Sequence, residues 1–129
     1  MKRKTIKKKV KSISKLKKEV WTIFSKWIRN RDDYTCYTCH KKDQNRGLYM
    51  HAGHFVSRSH NSTLFDEMNV HAQCYYCNIR ARGNIGLYAE RLIKDYGQEA
   101  FNELLKRGRT IKSFQPSELE ELKIKYSHS

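Results

Sequence analysis

All four cysteines of this 129-residue chain fall into two C-x-x-C pairs, Cys36–Cys39 and Cys74–Cys77. Structural zinc takes four soft ligands in a tetrahedron, and a two-residue gap lets both sulfurs of one turn face the same ion. Disulfides or four buried thiols are the alternative uses. Cysteine pairs of this spacing in a small intracellular domain favour metal over bridges, so we expect one structural Zn²⁺ held by all four thiolates.

A second set of polar residues lies between and directly after the cysteine pairs. The stretch HAGHFVSRSH begins at His51 and also holds His54 and His60. Asn69 opens a second predicted strand, and Asn78 follows the last cysteine. Because zinc binding would draw these segments together, we expect His54, Asn69 and Asn78 to share one site.

The elements that must position these residues follow from hydrophobic spacing and turn residues. Apolar residues recur at three- and four-residue intervals before the first cysteine pair, which is typical of an amphipathic helix. A capping-box pattern from Ser117 to Glu120 indicates a C-terminal helix. The remaining apolar runs and glycines complete the prediction: helices over residues 14–31, 74–82, 87–96 (closed by Gly97) and 98–107 (closed by Gly108), and strands over residues 48–56 and 69–73.

Positive charge is concentrated near the N-terminus. The formal net charge is +14, and residues 1–18 carry ten Lys and Arg with no Asp or Glu. A dense block of like charge usually binds a polyanion, so nucleic acid is the expected partner and an anionic membrane surface the lesser alternative. Arg58, between the predicted strands, is suited to clamp phosphate. Further candidates for DNA contacts are Lys7, Lys8, Lys9, Arg80 and Arg82, with a solvated helix face as the alternative for the two arginines.

The sequence indicates neither a membrane span nor a secretory signal. No apolar run approaches the roughly 20 residues that a transmembrane helix needs. The basic N-terminal residues are not followed by an apolar stretch of the kind found in signal peptides. We therefore expect a cytoplasmic protein.

The chain also resembles a known family over about residues 16 to 107. The segments WTIFSKWIRNRD, CYTCHK, HAGHFVSRSH, FDEMNVHAQCYYCN and GNIGLYAERLIKDYG are similar to the NinG/Rap family of lambdoid phage recombination proteins. The order of these motifs resembles the HNH, or ββα-metal, nuclease fold in its zinc-knuckle form. The resemblance implies an α+β fold: a small ββα-metal (HNH) core with a four-cysteine zinc site, flanked by N-terminal and C-terminal helices.

The resemblance further implies a metal-dependent DNA endonuclease that acts in phage recombination, in the host cytoplasm, on branched or single-stranded DNA. By this resemblance His54 is the general base, and Asn69 supports both the hairpin and the His54 side chain. Asn78 is a ligand of a catalytic Mg²⁺ or Mn²⁺. A neutral imidazole can take a proton from water at cellular pH. The hard divalent ion would stabilise the charge on the leaving oxygen, while zinc would have a structural role.

Position 53 departs from the pattern of that fold. Many HNH enzymes carry an acidic metal ligand directly before the general base, but here that residue is Gly53. Residues two apart in a strand point to the same face, so His51 is a candidate ligand of the catalytic ion in its place. His71 is a candidate contact of the scissile phosphate, with a hydrogen-bonded structural histidine as an equal alternative.

Three parts of the chain are expected. Residues 1–13 form a basic flexible arm, residues 14–108 a zinc-stapled HNH-like nuclease domain with its N-terminal helix, and residues 109–129 a C-terminal helical tail. An enzyme that cuts a symmetric junction would be expected to form a homodimer, through the apolar surfaces of the terminal helices. The competing interpretation is a non-catalytic zinc-containing DNA-binding accessory protein of recombination, for which Gly53 is the best argument. RNA binding or cleavage is a weaker third interpretation that rests on charge alone.

Overall fold

The structure, a computed structural model, describes residues 11–45 and 49–127. A long helix, a small sheet and further helices follow one another, which confirms the predicted mixed α+β class. Within these ranges no helix has the length and apolar character needed to cross a bilayer. In chain order the elements are α1 (Ile13–Arg31), β1 (Met50–His54), a 3₁₀ turn (Asn61–Thr63), β2 (Val70–Cys74), a π-helical turn (Tyr76–Arg80), α2 (Ile85–Tyr96), α3 (Gln98–Arg109) and α4 (Pro116–Ser127).

Helix α1 begins at a serine cap and buries one apolar stripe. The Ser12 hydroxyl accepts a hydrogen bond from the backbone N–H of Lys15 at 3.2 Å, which satisfies one of the unpaired donors of the first turn. The helix lies within one residue of its predicted bounds, and the stripe packs against the sheet and α4. The buried residues of the stripe follow at four-residue spacing: Leu16, Val20, Phe24 and Ile28.

Strands β1 and β2 form an antiparallel hairpin with two different faces. The register pairs His51 with Gln73 and Gly53 with His71, so these four residues share one face, here called the polar face. The opposite face carries His54 and the apolar residues that contact α1. Both strands lie within two residues of their predicted bounds.

Helix α2 covers the part of the polar face at Gly53 and His71, and α3 packs on the residues that follow β1. Tyr88 of α2 is fully buried, and its hydroxyl donates a hydrogen bond to the backbone oxygen of Gly53 at 2.8 Å. Gly108 does not close α3 as predicted, because the helix continues to Arg109. The absence of a side chain at Gly108 instead allows close packing, since a Cβ at this position would lie 2.9 Å from Cγ1 of Val56. The apolar residues that surround Tyr88 are Tyr37, Leu92, Phe101 and Leu104.

Helix α4 packs back onto α1 and shares its core. The rings of Phe24 and Tyr126 meet edge to face with centroids 4.8 Å apart, and Leu119 is fully buried. The terminal-helix surfaces that were nominated for a homodimer are therefore in contact with each other within one chain.

The predicted capping box of α4 is displaced by two residues. The carboxylate of Glu118 accepts a hydrogen bond from the backbone N–H of Gln115 at 3.1 Å, which is the reciprocal half of a capping box. Ser117 lies inside the first turn, because the helix already begins at Pro116. Proline is well suited to the first helical position, and it determines where this helix starts.

Candidate functional site

The two cysteine pairs come together beside one end of the hairpin. The four Sγ atoms lie within 4.8 Å of one another, and those of Cys39 and Cys74 are 3.7 Å apart. Tetrahedral zinc with Zn–S bonds of about 2.3 Å holds its sulfurs about 3.8 Å apart. All four cysteines are free of disulfides. Their thiols therefore fit one closed, four-sulfur site for a metal such as zinc.

Local hydrogen bonds prepare Cys36 to act as a thiolate ligand. Its Sγ accepts a bond from the backbone N–H of Cys39 at 3.5 Å, and the Thr38 hydroxyl lies 3.4 Å away. Burial alone would raise the pKa of the Cys36 thiol, but the hydrogen bonds outweigh it and lower the pKa to about 6. In the second pair the N–H of Cys77 is likewise directed at Sγ of Cys74 at 3.5 Å. Burial nevertheless raises the pKa of the Cys74 thiol, so of these two cysteines only Cys36 has a lowered pKa without a metal. Each turn thus directs backbone N–H groups at sulfur, which favours the ionised form that a metal binds.

His51 and Asn78 meet on the polar face. Asn78 follows Cys77 in the π-helical turn, and its Nδ2 lies 3.1 Å from Nδ1 of His51. Burial, with a smaller effect from the charge of Arg29, lowers the pKa of His51, so the imidazole is neutral near pH 7. Oδ1 of Asn78 lies 3.0 Å from the place where a Cβ at position 53 would stand. An imidazole nitrogen and an amide oxygen are both ligands for divalent ions, so this cluster can contribute to a metal site.

His54 lies on the other face of β1. Its ring stacks on Trp21 of α1 with centroids 4.8 Å apart, and its Nε2 lies 3.0 Å from the carbonyl oxygen of Leu64. A carbonyl only accepts, so Nε2 carries the hydrogen and the lone pair is on Nδ1. Burial lowers the pKa of His54 to about 4, against the opposing effect of the Leu64 carbonyl. The expected convergence of His54 with Asn78 is therefore not formed, because the two side chains approach β1 from opposite faces.

Asn69 braces the segment that follows β1. Its side chain is fully buried, accepts from the N–H of Val56 at 2.7 Å, and donates to the carbonyl oxygens of Val56 and Thr63 at 3.0 Å. Thr63 directly precedes Leu64, whose carbonyl oxygen contacts the ring of His54. The hydrogen bonds of Asn69 thus hold both the chain beyond His54 and its hydrogen-bond partner.

His71 lies in the interior rather than beside a phosphate. It is 3% exposed, and its nitrogens lie 3.3 Å from the Tyr88 hydroxyl and 3.2 Å from the Tyr96 hydroxyl. The ring of Tyr37 stacks on it at 3.8 Å. Burial, assisted by nearby arginine charge, lowers the pKa of His71 to about 3. This arrangement agrees with the structural alternative, a histidine that joins the hairpin to α2.

Basic side chains line a groove beside His54. The groove has a volume of about 740 Å³ and is lined by Lys17, Lys18, Trp21 and Arg58, among others. The guanidinium of Arg58 lies 5.9 Å from the Trp21 ring that also stacks on His54. Arg80 and Arg82 are exposed at and after the π-helical turn. Of the expected DNA contacts, the following lie outside the described residues: Lys7, Lys8 and Lys9.

Two residues of the site were not among the predicted ones. Trp21 has the spacing of a core residue, and its stacking on His54 depends on where α1 crosses the hairpin. Gln73 is fully buried on the polar face, with its amide between Thr38 and Gly83. The period of two residues along β2 places Gln73 on the face of His71, and this signal could have identified it.

Sequence comparison connects the whole chain to one phage family. A family model described as "Bacteriophage Lambda NinG protein" matches residues 1–129. Over 80 residues the chain is 38% identical to "Protein ninG" of Escherichia phage 933W, 36% to that of Escherichia phage lambda and 35% to that of Salmonella phage P22. Each match covers 60% of this chain but only 38% of the relative, so the matched part spans about two fifths of these relatives. No solved structure matches the chain. The chain belongs to the NinG family of phage proteins.

Proposed function

We propose that this protein is a metal-dependent DNA endonuclease of the HNH type, which hydrolyses phosphodiester bonds in branched or single-stranded DNA during phage recombination. One observation carries the proposal. A neutral imidazole, His54, ends β1 on one face, and two potential metal ligands, His51 and Asn78, lie on the other face, where Asn78 adjoins Gly53. A phosphodiester held against this strand end would meet a proton acceptor on one side and a metal site on the other.

The chemistry of the reaction requires groups on two sides of the phosphorus. In-line displacement places the attacking water and the leaving oxygen opposite each other. Successive residues of a strand point to opposite faces, so position 53 and His54 are separated in this way by backbone geometry alone. Within the described residues β1 pairs only with β2, so the backbone groups of its other edge make no strand-to-strand hydrogen bonds.

His54 has the properties of a general base. The Leu64 carbonyl fixes the tautomer whose lone pair is on Nδ1, and in the described part of the chain no group hydrogen-bonds to that nitrogen. Its pKa of about 4 keeps the imidazole unprotonated at cellular pH. A bound phosphate brings negative charge, which raises the pKa of a histidine toward the range where a base is most effective. His54 would then take the proton of the attacking water.

The two metals would have separate duties. The four thiolates leave zinc no open position, so a zinc ion there would build the platform from which Asn78 projects. Mg²⁺ or Mn²⁺ at His51 and Asn78 would supply charge relief on the leaving oxygen. Because both side chains are neutral, we expect phosphate oxygens of the DNA to complete that site.

The groove beside His54 is suited to the DNA backbone. Lys17, Lys18 and Arg58 bring three positive charges to one wall, and guanidinium groups bind phosphate in a bidentate manner. Such contacts carry no sequence information, which suits an enzyme that selects a DNA structure. Their affinity should fall steeply with salt because bound counterions are released.

The test is cleavage of end-labelled four-way junction, single-stranded and duplex DNA by the zinc-loaded protein with Mg²⁺ or Mn²⁺. The wild type should cut the junction or the single strand in preference to the duplex. His54→Ala should still bind DNA but should not cut it. His60→Ala is the matched control, because His60 is an exposed histidine of the following loop, and it should cut as the wild type does.

Gly53 favours one alternative, a zinc-containing DNA-binding accessory protein of recombination. Position 53 offers no carboxylate to a second metal, and a neutral set of ligands binds divalent ions weakly. DNA binding by the wild type without cleavage in either ion would establish this alternative and overturn the nuclease proposal.

A further inference from the structure

The space that a side chain on residue 53 would occupy is filled by the side chain of another residue. A Cβ built on Gly53 would collide with Oε1 of Gln73, and it would lie 2.8 Å from Cδ of Gln73 and 3.0 Å from Oδ1 of Asn78. Gln73 is the diagonal neighbour of Gly53 across the hairpin, a separation that a long side chain can bridge. A larger residue here would require the Gln73 amide to move, because this amide takes the volume that a ligand at position 53 would use.

Hydrogen bonds fix the direction of the Gln73 amide. Its Nε2 donates to the carbonyl oxygen of Gly83 at 2.8 Å and to the Thr38 hydroxyl at 3.2 Å. A carbonyl oxygen cannot donate, so the amide cannot be flipped without losing the bond to Gly83. Oε1 must then face Gly53 and Asn78.

Oε1 of Gln73 has no hydrogen-bond partner among the residues that the structure describes. It is buried, and the whole side chain is 0% exposed. Buried carbonyl oxygens almost always have a partner, and one that lacks it calls for an explanation such as a bound water or ion. A buried acceptor aimed at a second amide oxygen is such a case, because two oxygens cannot satisfy each other but can share one cation.

We propose that Gln73 Oε1, Asn78 Oδ1 and His51 Nδ1 form a binding site for a hard divalent cation, in which Gln73 of β2 supplies the oxygen that Gly53 of β1 lacks. Both amide oxygens lie beside Gly53, and Nδ1 of His51 faces Nδ2 of the same Asn78 side chain at 3.1 Å. The lone pair of Nδ1 accepts from that amide in the structure, so this hydrogen bond breaks when Nδ1 binds the cation. The cation class is that of Mg²⁺ and Mn²⁺, which take amide oxygens and retain water or phosphate as further ligands. The catalytic duty of the cation rests on the proposed function, whereas the binding site does not.

The same amide connects this site to the cysteines. Thr38, which receives a hydrogen bond from Gln73, lies 3.4 Å from Sγ of Cys36 through its hydroxyl. The cysteine turn therefore sets the position of Thr38, and Thr38 helps to set the orientation of the Gln73 amide. Groups that orient metal ligands in this way strongly affect metal affinity.

The test is a titration of the ¹⁵N-labelled, zinc-loaded protein with Mn²⁺, read by paramagnetic broadening of amide signals. Signals of Gly53 and of the Asn78 side chain should broaden with one common dissociation constant. Gln73→Ala should weaken that constant by about tenfold or more. Gly53→Asp combined with Gln73→Ala should restore it, because the carboxylate enters the vacated volume. Gln98→Ala, which removes an exposed glutamine of α3, should bind as the wild type does.

The double variant separates ligation from a structural role. Asp at position 53 cannot donate to Gly83 or Thr38, so a Gln73 that only supports the fold would not be replaced by it. If Gln73→Ala fails to fold, Gln73→Glu decides, since a negatively charged ligand should bind Mn²⁺ more tightly than the wild type. Tighter binding supports the site, and unchanged or weaker binding overturns it.

Two results would overturn the inference outright. One is a dissociation constant for Gln73→Ala within about twofold of the wild type, against the loss expected for a lost ligand. The other is no broadening around Gly53 and Asn78 into the millimolar range. If the protein cleaves DNA but its Mn²⁺ dissociation constant is unchanged by Gln73→Ala, the cation site is refuted and the nuclease proposal stands. Mn²⁺ binding that depends on Gln73, in a protein that cuts no DNA, would keep the site and remove the nuclease proposal.

Discussion

Replacing Asn69 with alanine should destabilise the fold and release His54 from its support. The Asn69 side chain is fully buried and makes three hydrogen bonds, one to the N–H of Val56 and two to the carbonyls of Val56 and Thr63. A hydrogen bond contributes a net value of about 1 kcal/mol, and a buried group that loses its partner costs about 1–3 kcal/mol. Three such losses, partly offset by entering water, lower the free energy of unfolding by about 3–5 kcal/mol.

Urea unfolding of the zinc-loaded protein, followed by circular dichroism, measures this loss. Asn69→Asp keeps the acceptor for Val56 but places a buried carboxylate oxygen against two carbonyl oxygens, so its loss at neutral pH should be at least as large as that of Asn69→Ala. Asn102→Ala removes an exposed amide of α3 and should change the free energy of unfolding by less than about 0.5 kcal/mol. A loss below about 1 kcal/mol for Asn69→Ala would refute the reasoning, because other contacts would then hold the segment after β1.

Three further predictions concern zinc, pH and salt. Cys36→Ser should lower the bound zinc below one ion per chain and abolish cooperative thermal unfolding, and an unchanged melting curve would contradict a structural metal. The pKa of His54 is about 4 in the fold and about 6.5 when unfolded, so the unfolded chain binds more protons between these values and stability falls as pH falls. From about pH 7.5 to about pH 5 the wild type should therefore lose about 2 kcal/mol more than His54→Gln in urea unfolding, and equal losses would contradict the burial of this histidine. Removing Lys17 and Lys18 should reduce the slope of log affinity for DNA against log salt by about 0.9 per lysine, whereas Lys106→Ala on α3 should leave the slope unchanged.

Features that depend on near neighbours in the sequence could be predicted. The C-x-x-C spacing carries its own geometry, since N–H groups within each turn bind the sulfur of the first cysteine. The four-residue spacing of Leu16, Val20 and Phe24 placed α1 to within one residue. The period of two along β1 correctly placed His51 on the face of position 53, beside Asn78.

Features that depend on what covers each face could not be predicted. The choice between a phosphate contact and a structural role for His71 could not be made from the strand alone, because only the packing of α2 shows that this part of the polar face is buried beneath Tyr88. The approach of Gln73 to Gly53 depends on the pairing register and on the amide bonds to Thr38 and Gly83, none of which is a local signal. At α4 a local signal was outweighed, because a proline and the following glutamate fix the helix start ahead of the predicted cap.

The most direct test of the nuclease proposal is the single-turnover rate of cleavage of a labelled four-way junction by the zinc-loaded protein, with and without added Mn²⁺. We expect cleavage that requires Mn²⁺, and a rate constant for His54→Ala reduced by about 10²–10⁴-fold at unchanged DNA binding. Cleavage by His54→Ala at the wild-type rate would contradict the role of this imidazole. No cleavage by the wild type on any DNA structure would contradict the proposal as a whole.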